Sequence, residues 1–233
     1  MGQELKTKMN QIKGAQSISF EVSPYIMSSG SVVGSKESEG PLGKLFDVSN
    51  QDDLFGAKTW EEAESNMQKE ACVLALGKAH VKPESVRFLF GGDLLRQGIA
   101  TSMGVESLQI PLFGLYGACS TSGEALALSA MSVAAGYGDC MLAVTSSHFG
   151  SAEKEFRFPL GYANQRPLSA HWTVTGSGAF LVGTEKSHVR ISGVTVGKIV
   201  DYGLKDSQNM GACMAPAAMD TIVQNLQDFG RTV

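Results

Sequence analysis

The stretch from Leu112 to Glu124 constrains the fold more than any other part of the chain. An apolar run of strand length ends in a glycine turn, with Gly114 and Gly117. Cys119 follows at once. A helical pattern of apolar residues then begins (Leu126, Leu128, Met131, Val133, Ala134) and stops at Gly136. Such a strand–turn–helix elbow puts Cys119 at its bend. A helix N-terminus presents unpaired backbone N–H groups and a positive dipole end. Both favour a thiolate and any oxyanion that forms beside it. Ser120, Thr121 and Ser122 are residue types that cap helix starts. A buried cysteine at a helix start is the plainer reading of the same residues.

Composition narrows what the elbow can serve. With 233 residues, 43% of them hydrophobic, the chain can bury a sizeable core. A formal net charge of −4 without a basic block gives no footprint for nucleic acid. Cys72, Cys119, Cys140 and Cys213 sit far apart, and no pair has the CxxC spacing of a zinc or thioredoxin-type site. Scattered cysteines suit a reducing compartment. No metal or cofactor is expected. Residues 1–16 are polar and lysine-bearing, with no apolar core of a signal peptide. Lys6 stands where a myristoylation motif wants Ser or Thr. The longest near-apolar run, Ala125 to Ala135, is too short to span a bilayer, so a cytoplasmic or membrane-peripheral chain is expected.

In chain order, residues 1–16 read as a flexible leader, and Ile18, Phe20 and Val22 alternate as a strand does. Ser28 to Gly43 is rich in Gly and Ser but lacks GxxxxGK[ST], and reads as a surface loop. Thr59 and Glu62 form a capping box for a helix to about Leu76, with Gly77 as its stop and a buried stripe of Trp60, Ala63, Met67, Ala71 and Leu74. A short apolar strand, Val86 to Phe90, then ends in Gly91-Gly92-Asp93. A carboxylate there either meets a ligand at the strand's end or caps the helix expected from Leu94 to about Met103. After the elbow, a strand from Met141 to Ser147 leads out to His148. Phe149 to Trp172 follows neither periodicity and reads as a long loop carrying Arg157 and Arg166. Val174–Val182 and Val189–Val200 read as strands, and Ser207 as the cap of a helix over Met210–Phe229 that ends at Gly230.

The order strand, Gly/Ser loop, long helix occurs at Ile18–Leu76 and again at Val189–Phe229. Such an internal repeat decides the architecture. The expectation is an α/β fold with one complete half, residues 17–186, and the beginning of a second, residues 187–233, which reads as truncated. About five strands should form a mixed central sheet in the first half, with the helix after the elbow covered on most sides.

Gly-Ala-Cys-Ser at the end of a strand, the later run Thr175-Gly176-Ser177-Gly178-Ala179 and the half-repeat resemble the thiolase superfamily. A closer set resembles its stage V sporulation protein AD family. These motifs are Gly40-Pro41-Leu42-Gly43, Gly92-Asp93-Leu94-Leu95, Gly117-Ala118-Cys119-Ser120-Thr121-Ser122, Thr145-Ser146-Ser147-His148, Phe156-Arg157, Asp206-Ser207-Gln208-Asn209-Met210-Gly211 and Met214-Ala215-Pro216. The resemblance covers roughly residues 17–233. It implies a thiolase-like fold, binding of dipicolinic acid (pyridine-2,6-dicarboxylate), and a part in its uptake into the developing spore. Membrane proteins of the same operon are the implied partners. The implied place is peripheral, at the forespore or spore inner membrane.

By that resemblance Cys119 occupies the superfamily's nucleophile position, and the chain is expected to be a homodimer joined through the strand before the elbow. Condensing enzymes also take acid/base residues from the second half, which this chain ends before. Binding is therefore expected ahead of the alternative, acyl transfer on Cys119. A flat dicarboxylate needs N–H or cationic donors at both ends. Backbone N–H groups at Cys119, Ser120 and Thr121 suit one carboxylate. His148, Arg157 and Arg166 are the candidates for the other, and Asp93 lies at the neighbouring strand end.

Overall fold

The computed structural model describes residues 11–95, 97–156, 172–206 and 209–232. Along the chain run strands β1 (Ile12–Lys13), β2 (Ser17–Ser19) and β3 (Tyr25–Val33), helix α1 (Ser35–Ser38), β4 (Val48–Ser49), α2 (Trp60–Lys78), β5 (Phe88–Asp93), α3 (Ile99–Val105) and β6 (Leu112–Gly114). Then come α4 (Thr121–Ala134), β7 (Cys140–Ser147), α5 (Phe149–Phe156), β8 (Gly176–Gly183), β9 (Val189–Arg190), β10 (Gly193–Thr195) and α6 (Met210–Phe229). They group into two compact units, Pro24–Arg190 and a smaller one drawn from both ends of the chain.

The larger unit is built on one mixed sheet in the order β4-β3-β8-β7-β5-β6, with β9 pairing β3. β6, β5 and β7 run parallel, and β8 is antiparallel to both β7 and β3. Side chains alternate between the faces. Leu89, Leu142, Val144, Ala179 and Leu181 join Ala63, Met67, Ala71 and Ala75 of α2 in the main core. The intervening Phe90, Met141, Ala143 and Val182 are also buried, as is the Ala125–Ala130–Val133 face of α4, which packs on β5 and β7. Helices thus cover both faces of the central parallel strands β5 and β7, as such strands require.

The Gly/Ser stretch read as a surface loop is, over Ser28–Val33, part of the long strand β3. Its poverty in large side chains has a packing reason. A Cβ on Gly30 would lie 2.2 Å from the Ala71 carbonyl oxygen and 2.9 Å from Leu74 Cβ, so the glycine lets α2 come down onto the sheet. Thr59 caps α2 as expected, its hydroxyl accepting from the Glu62 amide at 3.2 Å. The helix runs through Gly77, however, and the chain turns only at His80, with φ +54°. Helix α4 is covered as expected from Ala125 to Ala134, where every residue is buried or half-buried, while Ser122, Gly123 and Glu124 of its first turn are exposed.

In the smaller unit β2 pairs antiparallel with β1 and β10. Ile12 and Lys13, placed in the expected leader, are therefore strand residues. Val189–Val200 does not form one long strand, but the short β9 and β10. Helix α6 spans Met210–Phe229 with Gly230 beyond it at φ +62°, where a glycine end is favoured. Its N-cap is Asn209, which accepts from the Ala212 amide at 3.2 Å. Ser207 lies outside the described residues.

Gly30 and Gly77 should respond oppositely to alanine. Gly77 has open space around it on an exposed helix turn, so Gly77→Ala should raise stability by up to about 1 kcal/mol. Gly30→Ala forces a backbone clash and should cost about 1–3 kcal/mol. Urea titrations of both variants check this.

Candidate functional site

The elbow is seated at the end of β5, by the Gly91 carbonyl and the bare Cα of Gly92. The Leu115 amide donates to the Gly91 carbonyl at 2.8 Å, continuing the β5–β6 pairing past Gly114. A Cβ on Gly92 would stand 2.3 Å from the Leu115 carbonyl oxygen and 2.8 Å from Thr121 Cγ2. Only a glycine lets the turn and the first residue of α4 approach the strand so closely. The chain then makes a tight 3₁₀ turn over Ala118–Ser120 before α4 begins. Ala118 sits at φ +48°, a left-handed conformation that costs an alanine about 1 kcal/mol or more. Backbone strain of this kind collects where the surrounding structure dictates the conformation.

Cys119 is exposed at this bend. The amide groups of Ala118 and Cys119 open the turn and have no carbonyl ahead of them in it. The next two are engaged: the Ser120 amide donates to the Gly117 carbonyl at 3.0 Å, and the Thr121 amide to the Ala118 carbonyl. The Ser120 hydroxyl also donates to Gly117 O, at 2.9 Å, instead of capping α4. Thr121 is buried, and its hydroxyl has no hydrogen-bond partner among the described residues. Of the expected backbone donors at Cys119, Ser120 and Thr121, therefore, Cys119 is the one left open. Glu124 in the first turn of α4 leans back over Gly117, with Oε2 2.7 Å from where a Cβ would be. It puts a carboxylate against the turn that carries Cys119. Tyr116, 70% exposed, and the half-exposed Phe113 flank the bend with aromatic surface.

Asp93 is buried at the end of β5 and serves as the helix cap. One carboxylate oxygen accepts from the Gly98 amide, and the other from the amide and hydroxyl of Thr101, all at 3.3 Å. Because α3 starts only at Ile99, the carboxylate reaches forward over five residues to cap it, where the sequence placed the helix start next door. His148 is fully buried beyond the end of β7. Its Nδ1 accepts from the Gly150 amide at 3.0 Å, so the proton resides on Nε2, which donates to the Asp53 carbonyl at 2.7 Å. Trp60 and Phe149 pack on its ring. Both nitrogens are committed to backbone, and His148 is a structural residue with nothing left for a carboxylate or for the Cys119 thiol. Arg157 and Arg166 lie outside the described residues. A cleft of about 350 Å³ opens near His148, walled by Ser35, Asp53, Phe149 and Trp172, and none of Cys119, Ser120 and Thr121 lines it.

The sequence reading missed a buried polar cluster under the elbow. Glu64 and Gln68 of α2 point into the sheet's core face beside Thr101 and Ser146. A signal existed: both follow a residue of the predicted buried stripe, Ala63 and Met67, and so lie on its flank.

Two outcomes follow from these environments. Burial pushes the thiol of Cys72 up to about 12 and that of Cys140 up to about 11, while Cys119 and Cys213 are exposed. In the folded protein, iodoacetamide should label Cys119 and Cys213, and reach Cys72 and Cys140 only after unfolding, as peptide mass analysis will show. Burial also holds the His148 pKa below its ordinary 6.5, with the Asp53 hydrogen bond opposing it in part. A histidine buried neutral binds its proton more readily unfolded. Its contribution is therefore complete above pH 6.5 and is lost as pH falls below 6.5 toward the lowered value. The urea midpoint of the native protein should drop over that window more than that of His148→Gln.

The sequence matches the family Stage V sporulation protein AD (SpoVAD) over residues 14–233. It is 40% identical over 222 residues to stage V sporulation protein AD of Bacillus subtilis (strain 168), covering 95% of this chain and 66% of that protein. The chain thus spans about two thirds of that relative's length. Among solved structures, an OleA variant of Xanthomonas campestris bound with cerulenin superposes with a TM-score of 0.62 at 16% identity, over 92% of this chain and 73% of the other. FabH of Xanthomonas oryzae pv. oryzae, a 3-oxoacyl-(acyl carrier protein) synthase III, gives 0.58 at 14% identity, over 93% and 76%. These two share the fold. The mixed sheet, the glycine-seated cysteine elbow and the match along nearly the whole sequence lead to one statement: this chain is a thiolase-like protein of the stage V sporulation protein AD family.

Proposed function

We propose that the chain binds dipicolinic acid and takes part in its uptake into the developing spore. The observation that carries this reading is Cys119, exposed on a turn at the positive end of α4 and next to the carboxyl ends of parallel strands. Open α/β sheets bind ligands there. One carboxylate meets the Cys119 amide and the helix dipole. The ring lies against Tyr116 or Phe113. The second carboxylate falls to Arg157 or Arg166, since bidentate guanidinium contacts suit it and His148 has no free nitrogen. Glu124 opposes a dianion and sets the affinity below what the turn alone would give.

In this reading the protein works as a homodimer, peripherally at the spore inner membrane, with membrane proteins of the same operon. No helix among the described residues is long and apolar enough to cross a membrane. β6 lies at the edge of the sheet with all three of its residues exposed. A free edge with an exposed Phe113 is a template for a second copy. Sedimentation should report a dimer, and Phe113→Lys should give a monomer. A native chain that sediments as a monomer would exclude this assembly.

The exposed cysteine supports acyl transfer as the second reading. The thiolate would attack an acyl-coenzyme A carbonyl and expel the coenzyme thiolate, leaving a thioester on Cys119. Incubation with acyl-coenzyme A and intact-mass measurement decides it: an acyl increment on Cys119 supports transfer.

Calorimetric titration with dipicolinate tests the main reading. Cys119→Trp should abolish binding by filling the site. Cys119→Ala should weaken it less than about tenfold, because the amide donor survives. Glu124→Gln should tighten it by about two- to fivefold, the worth of one charge at a helix end. Absence of dipicolinate heat in the native protein, or undiminished binding by Cys119→Trp, sinks the proposal.

A further inference from the structure

The end of β5 is held between two different things. On one face the elbow rests on Gly92, through Leu115 O and Thr121. On the other, α2 sends polar side chains into the core. Gln68 is fully buried, and its Nε2 lies 2.6 Å from Ser146 Oγ of β7, 2.9 Å from Thr101 Oγ1 of α3 and 3.4 Å from the Gly92 carbonyl. The Ser146 hydroxyl donates to Glu64 Oε1 at 2.7 Å, and Ser151 of α5 donates to Glu64 Oε2 at 3.0 Å. Thr101 donates to Asp93. Asp93 and Ser146 are register partners across the β5–β7 pair, and the Leu94 amide donates to the Ser146 carbonyl at 3.0 Å.

One amide thus ties together the ends of two strands and the start of a helix, with the Gly92 backbone the only layer between it and the elbow. Its own carbonyl oxygen, Oε1, is buried without a partner among the described residues. A buried acceptor left unmade is destabilising. A leucine would remove that unmet acceptor but also the amide that Ser146 Oγ, Thr101 Oγ1 and the Gly92 carbonyl accept from, so what distinguishes the glutamine is that it joins these three groups.

We infer that Gln68 is a positioning residue for the Cys119 elbow: it fixes the end of β5 and thereby the height and tilt of the turn that presents the Cys119 amide and thiol. The inference holds whatever ligand the elbow takes. Gln68 touches neither the thiol nor a ligand. It acts through Gly92, and Thr101, Ser146 and Glu64 hold it in place. When the bridge is removed, β5 and β7 can shear at their ends, Gly92 moves, and Cys119 loses its alignment with the dipole of α4.

The test is the iodoacetamide rate at Cys119 divided by that at Cys213 in the same molecule, read by peptide mass without any dipicolinate present. Gln68→Leu should lower that ratio by about fivefold or more, the scale of coupling between residues in one network. Met67→Ala, one residue away in the apolar core and outside the network, should destabilise the fold yet leave the ratio within about twofold of native. Thr101→Val removes the hydroxyl that bridges Gln68 and Asp93 at constant shape, and should lower the ratio in the same sense. It serves as the deciding variant if Gln68→Leu does not fold. An unchanged ratio in the folded Gln68→Leu, or in Thr101→Val where that variant decides, overturns the inference. So does an equal fall in Met67→Ala. Since the assay contains no dipicolinate, failure to bind that ligand and failure of this inference are separate results.

Discussion

The close approach of the elbow to Gly91 and Gly92 governs the rest of the larger unit. A parallel strand must be covered on both faces, and the side chains on β5 alternate accordingly, with Leu89 in the α2 core and Phe90 buried opposite. At the strand's end this alternation stops supplying bulk. Gly92 leaves a shallow seat, and the turn before α4 drops into it. The left-handed Ala118 is the local consequence of that geometry, because the chain must leave β6 and enter α4 within a few residues. An exposed cysteine, an open amide and the end of a helix dipole then coincide without any dedicated side chain.

The polar cluster under β5 works against the usual preference for an apolar core. Glu64, Gln68, Thr101 and Ser146 are all buried. Each bond among them nets only about 1 kcal/mol after desolvation, and a member left unpaired is a cost. What such a cluster adds is direction: apolar contacts tolerate sliding, whereas hydrogen bonds between α2, α3, β5 and β7 fix where the strand ends stand relative to one another. Asp93 belongs to the same logic. Its carboxylate is spent on the first turn of α3, and this strand-end carboxylate shapes the site from behind.

How much of this was legible in the sequence follows from which interactions are local. The capping of α2 by Thr59, the elbow itself and the span of α6 rest on neighbours in sequence, and they were readable. The strand β3 was not, because its Gly and Ser content signals a loop locally, while the reason for Gly30 is the backbone of α2 more than forty residues away. His148 looked available because nothing near it in sequence announces Asp53 and Trp60, which close it off. Glu64 and Gln68 resemble the solvated face of an amphipathic helix until Thr101 and Ser146 are brought to them. Long-range pairing decides each of these cases, and the local pattern carries at most the flank position that Glu64 and Gln68 hold beside the buried stripe.

The seat of α2 on β3 also has a consequence for how this sequence can drift. Gly30 faces the Ala71 carbonyl, Leu74 Cβ and the Ala75 amide. Because two of those three contacts are backbone, no exchange of side chains along α2 can make room for a larger residue at position 30. Accommodation requires the whole helix to lift, which would also disturb Gln68 on the same helix. Substitutions at Gly30 are therefore epistatic with the packing of all of α2, and relatives that lack this glycine should differ in helix placement as well as in residue identity.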